Sequence, residues 1–168
     1  SAAWDSLFHH FNWTHGKGDV GYRSGQKIAI KPNHVEQRKL DYEVNYADLS
    51  PQVVVGLLKQ LVYEANVPQE CITICDSSRY ISNKTFDRCY NLFPNVHYLV
   101  TNFYTGRGDD RYTDPRRPPV VPSEEPLIYY SNINDKSNPH RAIPPDRLPM
   151  PFVEADYVIN LGVMKGHI

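Results

Sequence analysis

The sequence predicts an α/β domain of three layers, with a mainly parallel sheet flanked by helices. Short apolar runs without polar alternation recur along the chain, and such runs are typical of strands covered on both faces. Helical stretches separate these runs, as expected because neighbouring parallel strands need long crossover connections. We expect the sheet to contain residues 27–31, 71–76, 97–101 and 157–162, arranged as a Rossmann-like half with long proline-rich surface loops.

The chain has 168 residues and is most simply a single α/β domain spanning residues 1–168. Proline and charged residues are dense at 102–126 and 131–151, which are therefore expected to be irregular excursions over the surface. The last apolar run leads into Gly162 without a covering helix or a stop signal. We therefore expect the chain to be a C-terminally truncated portion of a longer protein.

The first predicted elements are a helix and a strand. Apolar residues at positions 4, 7, 8 and 11 have helical spacing. The first strand then ends in Lys31-Pro32-Asn33, where Pro32 restricts Lys31 to an extended conformation and so sets the direction of the lysine. The charged, aperiodic residues 34–49 are predicted to form a loop over this strand end.

The next helix and strand have the clearest signals in the chain. Ser50 is a good N-cap, and Pro51 suits the first helical position because it has no N–H to leave unsatisfied. Asn66 is expected to end the helix in a left-handed conformation. The apolar run Cys71–Cys75 is typical of a strand covered on both faces, and it breaks abruptly at Asp76. The apolar stripe of the helix consists of Val53, Val54, Leu57, Leu58, Leu61 and Val62.

Further elements are predicted beyond residue 79. Ser82 is expected to cap a short helix, and apolar runs at 97–100, 127–130 and 155–161 predict strands. Asn160 is a polar residue inside the last of these runs. We therefore expect it to need a buried partner or a ligand.

Polar residues follow three of the predicted strands where each apolar run ends. Because the carboxyl ends of parallel strands lie at one edge of a sheet, these residues are expected to converge on one crevice. Cations outnumber the single carboxylate of Asp76, and a helix N-terminus at Ser82 also favours an anion. We therefore expect a small phosphate- or carboxylate-bearing ligand. The candidate ligand-binding residues are Lys31, Asn33, Asp76, Ser77, Ser78, Arg79, Asn160, Lys165 and His167.

The composition argues against several other classes of function. With 18 Lys and Arg against 19 Asp and Glu, the chain has no global field that recruits nucleic acid. No apolar run approaches the roughly 20 residues of a transmembrane helix. Cys71, Cys75 and Cys89 lack iron–sulfur spacing and are expected to be free, buried thiols. Asp76 and His167 lie on separate loops and are too few to predict a metal site, so the cofactor stays unassigned.

Five stretches of the chain match the sequence of a known family. They are 25–33 (GQKIAIKPN), Ser50-Pro51 with the helix that follows, 72–79 (ITICDSSR), 155–161 (ADYVINL) and 164–167 (MKGH). On these stretches the chain resembles the DUF362 family, a group of uncharacterised bacterial and archaeal proteins. The resemblance implies a longer full-length protein, and many exported members begin with a twin-arginine signal, which would favour the bacterial periplasm or cell envelope, with the cytoplasm as the alternative. Some members carry iron–sulfur modules, and the family offers no established catalytic residues.

Two functions remain open from the sequence. The first is an enzyme, or a portion of one, that acts on a small anionic substrate at the strand ends. The alternative is a non-catalytic module that docks a redox partner through the arginines of 102–126, and assembly of the chain into an oligomer stays open. Converging titratable groups in a concave site favour the enzyme, whereas a flat basic face favours docking.

Overall fold

The computed structural model describes residues 1–34, 48–76, 78–101, 114–128 and 146–163. Helices and strands alternate through most of this part of the chain. In order, they are α1 (Ala2–Thr14), β1 (Ile28–Pro32), α2 (Pro51–Lys59), β2 (Ile72–Cys75), α3 (Asn83–Tyr90), β3 (His97–Leu99), β4 (Pro122–Ile128), β5 (Asp146–Pro149), α4 (Met150–Glu154) and β6 (Tyr157–Leu161).

Four strands form one parallel sheet in the order β3-β2-β1-β6. β1 lies in the middle, with Ile28 in register with Ile72 of β2 on one side and Tyr157 of β6 on the other. The prediction of a mainly parallel sheet in an α/β fold is therefore confirmed. The chain runs outward from β1 to β2 and β3 and then returns to pair β6 with the opposite side of β1. The strand order thus reverses between β1 and β6.

Helices α1, α2 and α3 cover one face of this sheet. The ring of Phe8 in α1 meets the Tyr157 ring edge-on, with 4.9 Å between the ring centroids. Phe86 in α3 meets Tyr98 in the same way, with 5.3 Å between the ring centroids. The register places both tyrosines on the face that also presents Ile30 and Ile74. Leu58 of α2 is fully buried in the same cluster. This face therefore holds the main hydrophobic core.

α2 begins and ends as the sequence predicts. The Ser50 hydroxyl accepts the N–H of Gln52 at 3.3 Å. The helix continues as a π-helical turn, Gln60–Glu64, and then stops at Asn66, which has the expected left-handed φ of 55°. The predicted apolar stripe is only partly buried, because Val53 is 47% exposed. Leu58 and Leu61 are fully buried members of this stripe.

A separate antiparallel ribbon of β4 and β5 packs with α4. The ammonium of Lys27, just before β1, contacts the carboxylate of Glu154 in α4 at 2.6 Å. The two segments expected to be irregular contain regular structure, because residues 122–126 lie in β4 and residues 146–151 lie in β5 and α4. A two-stranded ribbon tolerates prolines at its edges, so proline content overstated the irregularity. Residues 102–113 and 129–145 lie outside the described residues.

No helix among the described residues is long and apolar enough to cross a membrane.

Candidate functional site

The strand-order reversal brings three chain segments together at the carboxyl edge of the sheet. The backbone N–H of Asn33, just beyond β1, donates to the carbonyl of Leu161 at the end of β6 over 3.2 Å. The Asn33 carbonyl accepts the N–H of Leu49, which precedes α2, at 3.0 Å. Asn33 therefore ties the exit of β1 to the end of β6 and to the entrance of α2.

Lys31 and Asp76 form an ion pair at this edge. Lys31 Nζ lies 3.6 Å from Asp76 Oδ2. The Asp76 side chain is only 3% exposed, whereas that of Lys31 is 41% exposed. The expectation that these strand ends share one edge is therefore confirmed. The pair combines a buried, fixed carboxylate with an ammonium that still contacts water.

Asp76 also organises the loop that follows β2. Its Oδ1 accepts hydrogen bonds from the backbone N–H of Ser78 at 2.9 Å and from the Ser78 hydroxyl at 3.1 Å. Arg79 is half-buried, and its Nη1 donates to the Ser78 carbonyl at 2.8 Å. Asp76 therefore acts first as the anchor of a tight side-chain turn, in which Asp commonly bonds backbone two residues on.

Two buried titratable residues of this region, His34 and Asp48, are not among the sequence-predicted site residues. They are 2% and 5% exposed. Burial is the main reason that the pKa of His34 falls to about 4. The Asp76 and Asp48 carboxylates act to raise this pKa, whereas the Lys31 ammonium lowers it further. The imidazole is therefore neutral at pH 7. The sequence signals for these two residues were their positions in the chain. His34 directly follows Asn33, and Asp48 comes two residues before the N-cap Ser50.

Asn160 was expected to need a buried partner or a ligand, and its exposure removes the need for a buried partner. Asn160 is exposed on β6, the edge strand of the sheet. It is in register with Lys31, so the two side chains project from the same face of the sheet. An edge strand with one open face tolerates a polar residue without a buried partner. The placement keeps Asn160 beside Lys31 at the crevice. The other sequence-predicted site residues Ser77, Lys165 and His167 lie outside the described residues.

The beginning of α3 is already occupied by protein groups. Ser82 is fully buried, and its hydroxyl accepts the N–H of Thr85 at 3.4 Å. The buried Arg117 donates from Nη2 to Asn83 Oδ1 at 2.9 Å and from Nη1 to the Ile81 carbonyl at 3.3 Å. This helix end is therefore stabilised from within the chain, and its expected contribution to anion binding is small.

The two described arginines of the 102–126 segment are paired with Asp114. Arg116 donates from Nε and Nη2 to the two Asp114 oxygens at 2.9 and 2.8 Å, and Arg117 Nη2 lies 3.3 Å from Oδ2. The hydrogen bonds from Arg116 are the main reason that the pKa of Asp114 falls to about 2. Both guanidiniums also lie over the Phe86 ring. This arrangement fits structural pairing rather than an anion clamp.

Cys71, Cys75 and Cys89 are free thiols. Burial raises the pKa of Cys75 and of Cys89 to about 12, so both are protonated at pH 7 and poorly nucleophilic. Within the described ranges, no three His, Cys, Asp or Glu side chains come together as a metal-binding group.

Comparison of the chain with protein-family models, with curated proteins and with solved structures finds no match. The resemblance to the DUF362 family therefore stays a prediction.

Proposed function

We propose that the carboxyl edge of the sheet binds a small molecule that carries a phosphate or a carboxylate. The observation that supports this best is the reversal of strand order between β1 and β6, because open α/β sheets bind ligands in the crevice beyond such a reversal. Lys31 and Asn33 lie at the end of β1, and Leu161 and Gly162 lie at the end of β6.

Lys31 is the proposed contact for the anion. Its ammonium remains accessible, and the buried Asp76 limits the directions in which it can extend. Among the described side chains of this edge, the two cations Lys31 and Arg79 are equal in number to the two carboxylates Asp76 and Asp48. Lys165, which was also predicted for this site, lies outside the described residues. The N-terminal end of α2 begins at the same edge and adds a favourable dipole.

We assign no reaction to this crevice. His34 and Asp76 are both buried, and the hydrogen bonds of Asp76 to Ser78 are those of a turn. These residues therefore shape and position the site in our proposal. A portion of an enzyme fits this arrangement best, and a non-catalytic binding module is the alternative. The sequence resemblance supports the further proposal that the chain belongs to the DUF362 family.

Calorimetric titration with phosphate, pyrophosphate, citrate and mononucleotides tests the proposal. We expect at least one of these anions to bind the chain, and Lys31→Ala to weaken that binding by about 1.5–3 kcal/mol, as for a lost charge-assisted hydrogen bond. Lys27→Ala is the matched control. Lys27 lies next to the same strand and also pairs with a carboxylate, but at the opposite edge of the sheet. Equal binding by the two variants, or binding of none of the anions, would contradict the proposal.

A further inference from the structure

A second concave surface lies on the outer side of the helical layer, between α2 and α3. It is a groove of about 420 Å³. Its α2 wall follows i, i+3, i+4 and i+7 spacing, which is one stripe along a helix. The second wall comes from α3 and the residues just after it. The lining residues are Gln52, Val55, Gly56, Lys59, Arg88 and Leu92. We call this surface the α2–α3 groove.

The floor of the α2–α3 groove is apolar and open. Leu92 is 46% exposed, and Val55 is half-buried. Gly56 directly follows Val55 on α2, and a Cβ added at Gly56 would meet no atom within 4 Å. A glycine inside a helix lowers helix stability, so its presence at this point is not explained by propensity. Its absence of a side chain leaves space for groups from outside.

The charged residues that line the groove are both cations. Lys59 is the last residue of α2, and Arg88 is an exposed residue of α3. No carboxylate belongs to the set of described residues that line the groove. Since the whole chain has a net charge of −1, this positive sign is local to the surface. An occupant with apolar side chains flanked by acidic ones would complement it.

We propose that the α2–α3 groove docks an acidic amphipathic helix of a partner protein. A helix laid in a groove between two helices presents apolar anchors at i, i+3, i+4 and i+7, and its flanking acids meet Lys59 and Arg88. The shape and charge disfavour a membrane surface, because recruitment to anionic lipid generally uses clusters of about 4–8 cations. This surface shares none of its lining residues with the crevice at the carboxyl edge of the sheet.

Selection from a displayed library of short helical peptides, with randomised charged and apolar positions, tests this proposal. We expect the wild-type chain to enrich peptides that combine helical apolar spacing with net negative charge. Gly56→Trp fills the groove and Arg88→Glu reverses its charge, and each is expected to weaken binding of an enriched peptide at least about tenfold. Gly56→Ala is the size control, and Arg23→Glu, an exposed cation on a distant turn, is the charge control. Both controls should bind as the wild type does.

Several results would overturn the proposal. One is enrichment of neutral or basic peptides, or no enrichment over a Gly56→Trp chain that keeps the wild-type melting temperature. Another is self-association of the wild type that Gly56→Trp abolishes, which would make the occupant a second copy of this chain. A third is binding to phosphatidylserine vesicles that depends on Arg88 while no acidic peptide is enriched.

Discussion

Two lysines at opposite ends of β1 show how differently the two edges of the sheet treat charge. At the amino edge, Lys27 and Glu154 are 2.6 Å apart, and their side chains are 59% and 46% exposed. At the carboxyl edge, Lys31 and Asp76 are 3.6 Å apart, but the Asp76 side chain is 3% exposed. Exposed ion pairs contribute little even at short distance, because water screens them. The burial of Asp76, and not the distance within the ion pair, is therefore what makes the charges at the carboxyl edge important for stability.

The largest expected effect is on the pH dependence of stability, through His34. Its pKa is about 4 in the folded chain and 6.5 without burial, so the unfolded chain binds the extra proton between these values. The stability from a neutral His34 is present above pH 6.5 and is lost as the pH falls through 4. The loss is about 3 kcal/mol between pH 7 and pH 4. Urea denaturation of the wild type and of His34→Gln measures it.

His9 is the control for this experiment. Its ring lies 2.7 Å from Asp19, and this hydrogen bond is the main reason that its pKa is raised. A raised pKa gives the opposite sign, with stability present at low pH and lost as the pH rises. His9→Gln should therefore keep the steep acid loss of the wild type. If His34→Gln keeps that loss as well, the buried charge at the carboxyl edge is not its source.

Asp76→Ala should have the next largest effect. The substitution removes the acceptor for both Ser78 groups and leaves Lys31 without its buried partner. We expect a loss of about 2 kcal/mol in the free energy of unfolding at pH 7. Asp76→Asn retains an oxygen acceptor and should lose less. Chemical denaturation measures both variants. An unchanged stability of Asp76→Ala would show that the contacts of Asp76 with Ser78 and Lys31 do not stabilise the fold.

Removing each lysine compares the two edges directly. Lys31→Ala should lower the free energy of unfolding by about 1 kcal/mol, because it removes the ammonium that contacts the buried Asp76 carboxylate. Lys27→Ala should leave stability unchanged within error, since both partners of its pair are exposed. Thermal denaturation at low and at physiological salt measures the difference. Equal losses would show that burial does not separate the edges.

Ser50→Ala should have the smallest effect. It removes the side-chain cap of α2, which follows Asp48 and Leu49 at the carboxyl edge. The expected loss is roughly 0.5–1 kcal/mol, typical of an exposed N-cap. Circular dichroism during urea denaturation measures it, with Ser50→Asp as the conservative variant that should restore stability. Failure of Ser50→Asp to restore it would mean that capping is not the role of Ser50.

Much of the fold could be predicted because it depends on local patterns. Apolar runs without alternation identified β2 as a central strand, and the cap at Ser50 and the left-handed Asn66 bounded the helix that precedes it. The placement of Lys31 and Asp76 at the same edge followed from parallel pairing alone, since parallel strands end at one edge.

The remaining features depend on tertiary contacts that a single sequence does not encode locally. The positions of His34 and Asp48 place both close to the strand end, but the aperiodic residues around them do not indicate that both are buried. Asn160 is exposed because β6 is an edge strand, and position within a sheet is not visible in one strand's sequence. Apart from residues 127–128 of β4, which fall in a predicted strand, the β4–β5 ribbon was missed because its prolines outweighed the pairing that a partner strand supplies.

Amide chemical shifts locate the bound anion on the molecule. Phosphate and citrate are titrated into the isotope-labelled chain, and the shifts are followed residue by residue. We expect the largest shifts at Asn33, Ser78 and Gly162, on the carboxyl edge, and their loss in Lys31→Ala. Shifts concentrated around Lys27 and Asp156, or no shift at the carboxyl edge with either anion, would contradict the proposed location of the anion.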